Sequence, residues 1–294
     1  TAQAYARFVR ASAGGPEAGV PEAGPLFAAM AQVSLQRRHD FSLEQCVALS
    51  QSSAVVGAQV LPFGVTAPAS LATAVHSALA RQQGAKVLFE EPQGFRVLQI
   101  KDFMSKDETW ELLALAEPLW RPSKTYEGEP SARTSDTASL RGPAAEAPVV
   151  TEVMRRAADL VGLPADRCES LQLVRYESEA HYYREHFDLL DDVTQLQLGG
   201  QRLATVLVYL SSLPAEAGGE TLFPELGQEG LRVSPLQGSA VVWPNVDMAG
   251  EAERLSKHAA LPLSPRAAQA ESGQRLVKYA VNCWIRAFPG ASSL

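Results

Sequence analysis

The stretch LQLVRYESEAHYYREHFD, residues 171–188, sets the reading of everything around it. Its first third, Leu171 to Tyr176, is short and rich in β-prone residues. It opens a series of similar segments: Leu203 to Leu210, Thr221 to Phe223, Leu231 to Val233, Ser239 to Trp243 and Leu276 to Arg286. Turn signals such as Ala217-Gly218-Gly219 and Pro235-Leu236-Gln237-Gly238 separate them, as expected of short strands. The last third carries His186-Phe187-Asp188 in or beside a strand-like run. Side chains two apart on a strand share a face, so this spacing aims an imidazole and a carboxylate at one point.

Upstream the texture is helical. Phe95 to Ile100 reads as a strand, and Ser105-Lys106-Asp107-Glu108 as a capping box, with serine at the N-cap and glutamate three residues on. Leu112, Leu115, Ala116 and Leu119 follow at helical spacing until Pro122. A polar loop runs from about Ser123 to Pro148. A second helix, Val149 to Val161, is stopped by Gly162 and Pro164. Two helices followed by many short strands predict an α+β domain, a sandwich or barrel with helices buttressing one face. Residues 1–85 are Ala/Gly/Pro-rich and partly helical, with a flexible stretch at Ala11 to Pro25 and weakly patterned helices at Leu26 to Ser50 and Ala69 to Gln83. They read as a helical extension of unknown role that packs on a neighbouring domain or partner.

Composition narrows the function classes. The 294 residues include 33 acidic and 26 basic side chains, a formal charge of −7, which argues against a general nucleic-acid binder. The three cysteines, Cys46, Cys168 and Cys283, form no CxxC pair and no disulfide framework. Gln45 to Ala80 lacks any Asp, Glu, Lys or Arg, but Gln51, Ser52, Ser53, Gln59, Pro62 and Pro68 interrupt every apolar run, so no membrane span is expected. The chain begins at Thr1, so the lack of a signal peptide carries no information.

Few residues are available for chemistry. The five histidines are His39, His76, His181, His186 and His258. Two histidines and one carboxylate on one face of an octahedron leave positions free, the arrangement of non-haem Fe(II) oxygenases. His186, Asp188 and His258 fit it. His181 is a rival ligand, His39 and His76 read as structural, and an exposed His–Asp hydrogen bond is the plainer alternative for residues 186 and 188. Lys278 lies in a mostly apolar run, on the strand face of Ala280, Asn282 and Trp284. Lysine is rarely buried without a partner. Lys278 therefore either meets an anion inside or extends to water from an edge strand.

From Val87 to Pro289 the chain resembles the catalytic domain of prolyl 4-hydroxylases, within the Fe(II)/2-oxoglutarate dioxygenases. The resemblance rests on blocks in order: Phe95 to Leu119, Ala132-Arg133-Thr134-Ser135, Leu171 to Asp188, Gly200 to Leu210, Gly218-Gly219-Glu220-Thr221-Leu222-Phe223-Pro224, Pro235 to Trp243, and Lys278 to Arg286. It implies a double-stranded β-helix, or jelly-roll, core within residues 86–290, buttressed by helices and preceded by the N-terminal helical extension. It implies Fe(II) held by His186, Asp188 and His258 as catalytic metal ligands, with 2-oxoglutarate as cosubstrate and L-ascorbate as reductant. Lys278 would pair with the far carboxylate of 2-oxoglutarate, with Tyr176, Tyr209 and Thr205 lining that pocket. Tyr183, Arg202 and Arg133 would contact a proline-containing peptide or protein substrate.

Two departures stand out. Residues 264–273 form an insertion between His258 and Lys278, which makes Arg275 a rival cation, although strand parity with Trp284 favours Lys278. Ala259-Ala260 replaces a glycine-rich step. The implied activity is hydroxylation of peptidyl proline to 4-hydroxyproline with release of succinate and CO2. The alternatives are a related oxygenase acting on another residue or a small molecule, and a non-catalytic peptide-binding module. The resemblance suits the endoplasmic reticulum lumen or the cytoplasm. The oligomeric state is not legible.

Overall fold

The second half of the chain is rich in short β-prone strand segments, several of them separated by turns that carry glycine or proline. In the computed structural model, which describes residues 67–123, 132–265 and 276–290, those strands assemble into two antiparallel sheets. The elements in chain order begin with α1 (Ala69–Ala80), β1 (Lys86–Glu90), β2 (Arg96–Ile100), α2 (Lys106–Ala116), β3 (Arg121–Pro122), β4 (Asp136–Ser139) and α3 (Pro148–Leu160). They continue with β5 (Gln172–Tyr176), β6 (Tyr183–His186), α4 (Val193–Leu196), β7 (Arg202–Tyr209), β8 (Thr221–Phe223), β9 (Leu231–Val233), β10 (Ala240–Pro244), β11 (His258–Ala260) and β12 (Lys278–Arg286). The larger sheet has eight strands in the order β1-β2-β10-β7-β12-β5-β4-β3, and the smaller has four in the order β6-β11-β8-β9.

Strand parity explains how the larger sheet carries two cores. On β7, Val206 and Val208 join an apolar cluster with Leu112 of α2 and Val150 and Val153 of α3. Leu207 and Tyr209, on the opposite face, join Phe223 and Val233 of the smaller sheet. β12 repeats the pattern. Val281, Cys283 and Ile285 face the helices, whereas Lys278, Ala280, Asn282 and Trp284 line a cleft between the sheets. Because both faces of the central strands are covered, their sequences read as nearly continuous apolar runs.

The helices hold through local chemistry and packing. Ser105 Oγ accepts from the Glu108 amide at 3.2 Å, and Glu108 Oε2 accepts from the Ser105 amide at 2.8 Å, closing the expected capping box. Glu108 also pairs with Arg156 of α3 at 2.5 Å, so the start of one helix is tied to the middle of the next. Pro148 opens α3, where its missing N–H has no intrahelical acceptor to lose.

The polar segment read as a loop from Ser123 to Pro148 contains β4 and a 3-10 turn at Gly142–Glu146. β4, Asp-Thr-Ala-Ser, shows no amphipathic signal, and it is a strand because β5 offers a free edge across four residue pairs. The segments at 11–25 and 26–50, with His39 and Cys46, lie outside the described residues, as does Arg275. Among the described residues no helix is long and apolar enough to cross a membrane.

Candidate metal centre

Three ligating side chains converge in the cleft between the sheets. β6 ends at His186, and β11 begins at His258, directly opposite it in the antiparallel register. The chain turns after His186 and brings Asp188 back between the two rings. His186 Nε2 lies 3.7 Å from Asp188 Oδ1, and His258 Nε2 lies 3.7 Å from Asp188 Oδ2. One donor atom from each residue lies within 4.8 Å of the others, and this is the only such set of three among the described residues. At 3.7 Å neither imidazole makes a hydrogen bond to the carboxylate.

The outer contacts fix which nitrogen is available. His186 Nδ1 lies 2.7 Å from the Arg184 carbonyl and His258 Nδ1 lies 2.9 Å from the Ser256 carbonyl. A carbonyl only accepts, so each Nδ1 carries the proton and each Nε2 presents a lone pair inward. Asp188 is held in turn. Thr205 Oγ1 donates to its Oδ2 at 2.7 Å and accepts from Asn245 Nδ2 at 2.9 Å. Burial, reinforced by the neighbouring His258, pushes the His186 imidazole well below its ordinary pKa. Burial alone would raise Asp188, but His258, His186, Arg202 and the Thr205 hydroxyl together bring its carboxyl below the usual range. At neutral pH the site therefore offers a neutral imidazole at His186 and a carboxylate at Asp188, the protonation states a divalent metal needs. Two nitrogens, one carboxylate oxygen and a cleft on the open side fit Fe(II) in the two-histidine, one-carboxylate arrangement.

The cleft and the solvent at its mouth together span about 420 Å³. At its deep end Lys278, 1% exposed, projects from a central strand, not an edge one. Its ammonium lies 5.1 Å from the Tyr176 ring centre and 5.9 Å from that of Tyr209, and makes no ion pair among the described residues. Burial draws its pKa down to about 7. The Tyr209 hydroxyl donates to Thr221 Oγ1 at 2.8 Å, and burial pushes its pKa up. Toward the mouth, the Tyr183 ring stacks on His186 at 3.5 Å between centres, and Arg133 lies 4.9 Å over the Tyr183 ring.

The expected residues divide by position. His186, Asp188, His258, Lys278, Tyr176, Tyr183 and Arg133 line the cleft together. Thr205 and Tyr209 stand behind it, with hydroxyls engaged by Asp188 and Thr221 respectively. Arg202 is also set back, with its guanidinium engaged by Glu169 and 3.7 Å from the Trp284 ring centre. His181, the rival ligand, accepts the Glu177 amide at 3.1 Å through Nδ1 and stands outside the convergent set. His76 is structural as read, with Nε2 at 2.8 Å from the Val246 carbonyl. Sequence reasoning missed Thr221, Asn245, Asn282 and Glu169. Of these only Asn282 carried a signal, its parity with Lys278 and Trp284.

Residues 171–286, which include all three converging ligands and Lys278, match the family model of the 2OG-Fe(II) oxygenase superfamily. The chain is 32% identical over 203 residues to probable prolyl 4-hydroxylase 3 of Arabidopsis thaliana, covering 62% of this chain and 68% of that protein. It is 34% identical over 178 residues to prolyl 4-hydroxylase subunit alpha-1 of Gallus gallus, covering 57% of this chain but only 33% of that one. Among solved structures it is similar to the viral collagen prolyl hydroxylase of Paramecium Bursaria Chlorella virus-1, with a TM-score of 0.49 and 24% identity over 65% of this chain and 95% of that one.

Proposed function

The chain belongs to the prolyl 4-hydroxylase family of the 2OG-Fe(II) oxygenase superfamily, and from that premise we propose that it converts peptidyl proline to 4-hydroxyproline. One observation carries the reading at the level of this chain's residues: two imidazoles and a carboxylate converge at one end of a cleft whose other end holds a buried lysine that makes no ion pair among the described residues. When bound, Fe(II) and 2-oxoglutarate supply the oxidising chemistry, in which dioxygen is consumed, succinate and CO2 are released and a proline C–H bond is hydroxylated.

The chain's residues place the reactants. His186, Asp188 and His258 would hold the metal, the two imidazoles through their inward-facing nitrogens and Asp188 through its carboxylate. The Arg184 and Ser256 carbonyls keep both rings from rotating. Thr205, steadied by Asn245, fixes one oxygen of Asp188. Lys278 takes the far carboxylate of 2-oxoglutarate, and Tyr176 and Tyr209 keep water from that pair. A cation already desolvated at this depth binds an anion more strongly than an exposed one would. Tyr183, held between Arg133 and His186, walls the mouth where the peptide enters. Thr205 and Tyr209 act from behind the pocket wall, and Arg133 contacts the peptide. L-ascorbate is the expected reductant. The two sheets are read as a double-stranded β-helix.

The test is succinate release from 2-oxoglutarate in the presence of Fe(II), against a panel of proline-rich peptides. The reading expects release that depends on both iron and peptide, and that is lost in His186→Ala. Iron-dependent release indifferent to every proline peptide, together with activity toward lysine peptides or small molecules, would overturn the substrate assignment.

A further inference from the structure

The connection from β10 to β11, residues 245–257, supports the metal centre from both of its ends. At its start Asn245 Nδ2 donates to Thr205 Oγ1 at 2.9 Å, and Thr205 donates onward to Asp188. At its end the Ser256 carbonyl accepts from His258 Nδ1 at 2.9 Å. The two ends are tied to each other. The Glu253 amide donates to the Asn245 carbonyl at 3.0 Å, and Ser256 Oγ donates to the Glu253 carbonyl at 2.7 Å. Asp247 closes the tip by accepting from the amides of Ala249 at 2.8 Å and Glu251 at 3.0 Å. The connection is thus braced within itself, and whatever fixes its position bears on Asp188 and His258 together.

What grips it from outside is α1 and the residue leading into that helix, which lie well before the stretch matched by the family model. Three donors take alternate carbonyls of the connection in antiparallel order. The Ala67 amide donates to Gly250 at 2.8 Å, Thr73 Oγ1 to Met248 at 3.3 Å, and His76 Nε2 to Val246 at 2.8 Å. Gly250 has a φ of +87°, and a Cβ there would stand 1.9 Å from the Ala67 carbonyl, so the two segments meet with no room for a side chain. Of the three bonds only that of His76 is buried, and it is made to the residue next to Asn245. The other ring nitrogen, Nδ1, lies 3.3 Å from the Gly94 carbonyl in the turn between β1 and β2. Val75 and Leu79 already pack α1 on the core, so adhesion of the helix does not need an imidazole at position 76. A buried polar group with both nitrogens placed adds direction where apolar packing adds only contact.

We propose that His76 is a positioning residue for the metal centre: by holding the Val246 carbonyl it places Asn245, and through Thr205 it sets the carboxylate of Asp188. The proposal rests on the reading of His186, Asp188 and His258 as metal ligands, and not on the identity of the substrate. It gives α1 a part in the site that its distance along the chain conceals.

The test measures Co(II) affinity of the whole chain by equilibrium dialysis, with the visible absorption of the bound ion recorded in parallel. His76→Phe keeps a buried ring and removes the donor. It is expected to weaken Co(II) binding at least about threefold and to change the absorption spectrum, a smaller effect than loss of a contact made directly to a ligand. His76→Gln, which again offers an N–H to the Val246 carbonyl, is expected to restore affinity to within about twofold of wild type. In a Thr205→Val background, His76→Phe should weaken binding by clearly less, because the route to Asp188 is already cut. Should His76→Phe fail to fold, His76→Asn, too short to reach Val246, serves the same measurement. Unchanged Co(II) affinity in the folded variant overturns the proposal. So does an equal loss in both backgrounds, or a glutamine variant as weak as phenylalanine, either of which would mark a general structural role. A wild-type chain that takes up no Co(II) sinks the metal reading itself, whereas wild-type uptake with an unmoved His76→Phe sinks this proposal alone.

Discussion

Lys278 shows how much one residue can say when its surroundings are wrong for it. Burial draws its pKa from 10.5 to about 7, so the free protein holds the ammonium poorly at neutral pH. An incoming dianion stabilises the charged form. Above pH 7 binding must therefore be accompanied by proton uptake, and the apparent affinity for 2-oxoglutarate should fall by about tenfold per pH unit, flattening below pH 7. Titration calorimetry across pH 6–9 checks this, and pH-independent affinity would contradict it. Lys278→Ala should raise the KM for 2-oxoglutarate with little change in kcat, since the charge contact is made equally in the ground and transition states. Thr205→Val keeps the shape but removes the hydroxyl that holds Asp188. Loss of such an outer contact typically weakens metal affinity by about 10–100-fold. Equilibrium dialysis with Co(II) measures this without turnover, and unchanged affinity would show that Asp188 holds its place unaided.

Among the elements, α2 and β12 repay sequence reading most and β4 least. The capping box of α2 was legible because both partners are three residues apart, and it is present atom for atom. Ser105→Ala should lower stability by about 1 kcal/mol in chemical denaturation, with the slope against denaturant unchanged. β12 was legible because its period-two pattern put Lys278, Asn282 and Trp284 on one face, and that face lines the cleft. The meeting of His186 with His258 came from the resemblance, since residues 72 positions apart meet only through the register of β6 and β11. Asn245 and Glu169 escaped for the same reason. Each supports the site through a partner more than 30 positions away, and neither lies in a pattern that sequence spacing could expose. Gly238 belongs to this scale too. Its φ of +79° and the Met104 carbonyl, 2.4 Å from where a Cβ would stand, confine the position to glycine. Gly238→Ala should destabilise the turn into β10 and, with it, the sheet centre.

At the scale of the molecule, the site is a source of both instability and linkage. Lys278 titrates near 7 when folded and near 10.5 when unfolded, so between these values the unfolded chain binds the extra proton. Its contribution to stability therefore rises as pH increases through that window. Ligands act more strongly. Metal and 2-oxoglutarate bind only the folded cleft, so at a hundredfold excess over Kd each should add about 2.7 kcal/mol and raise the melting temperature. Replacing His258 with alanine should abolish the metal-dependent part of that shift while leaving the apo melting point close to wild type. A metal-induced shift that survives in His258→Ala would move the metal elsewhere.

The three ligands and Lys278 are proposed to form one working centre that oxidises proline in a peptide. Its most direct measurement is mass spectrometry of a proline-rich peptide after incubation with the protein, Fe(II), 2-oxoglutarate and dioxygen, with succinate quantified in parallel. One added oxygen is expected on proline, matched by one succinate, with neither product in His186→Ala. Succinate formed without any oxygen on the peptide, or oxygen placed on another residue, would contradict it.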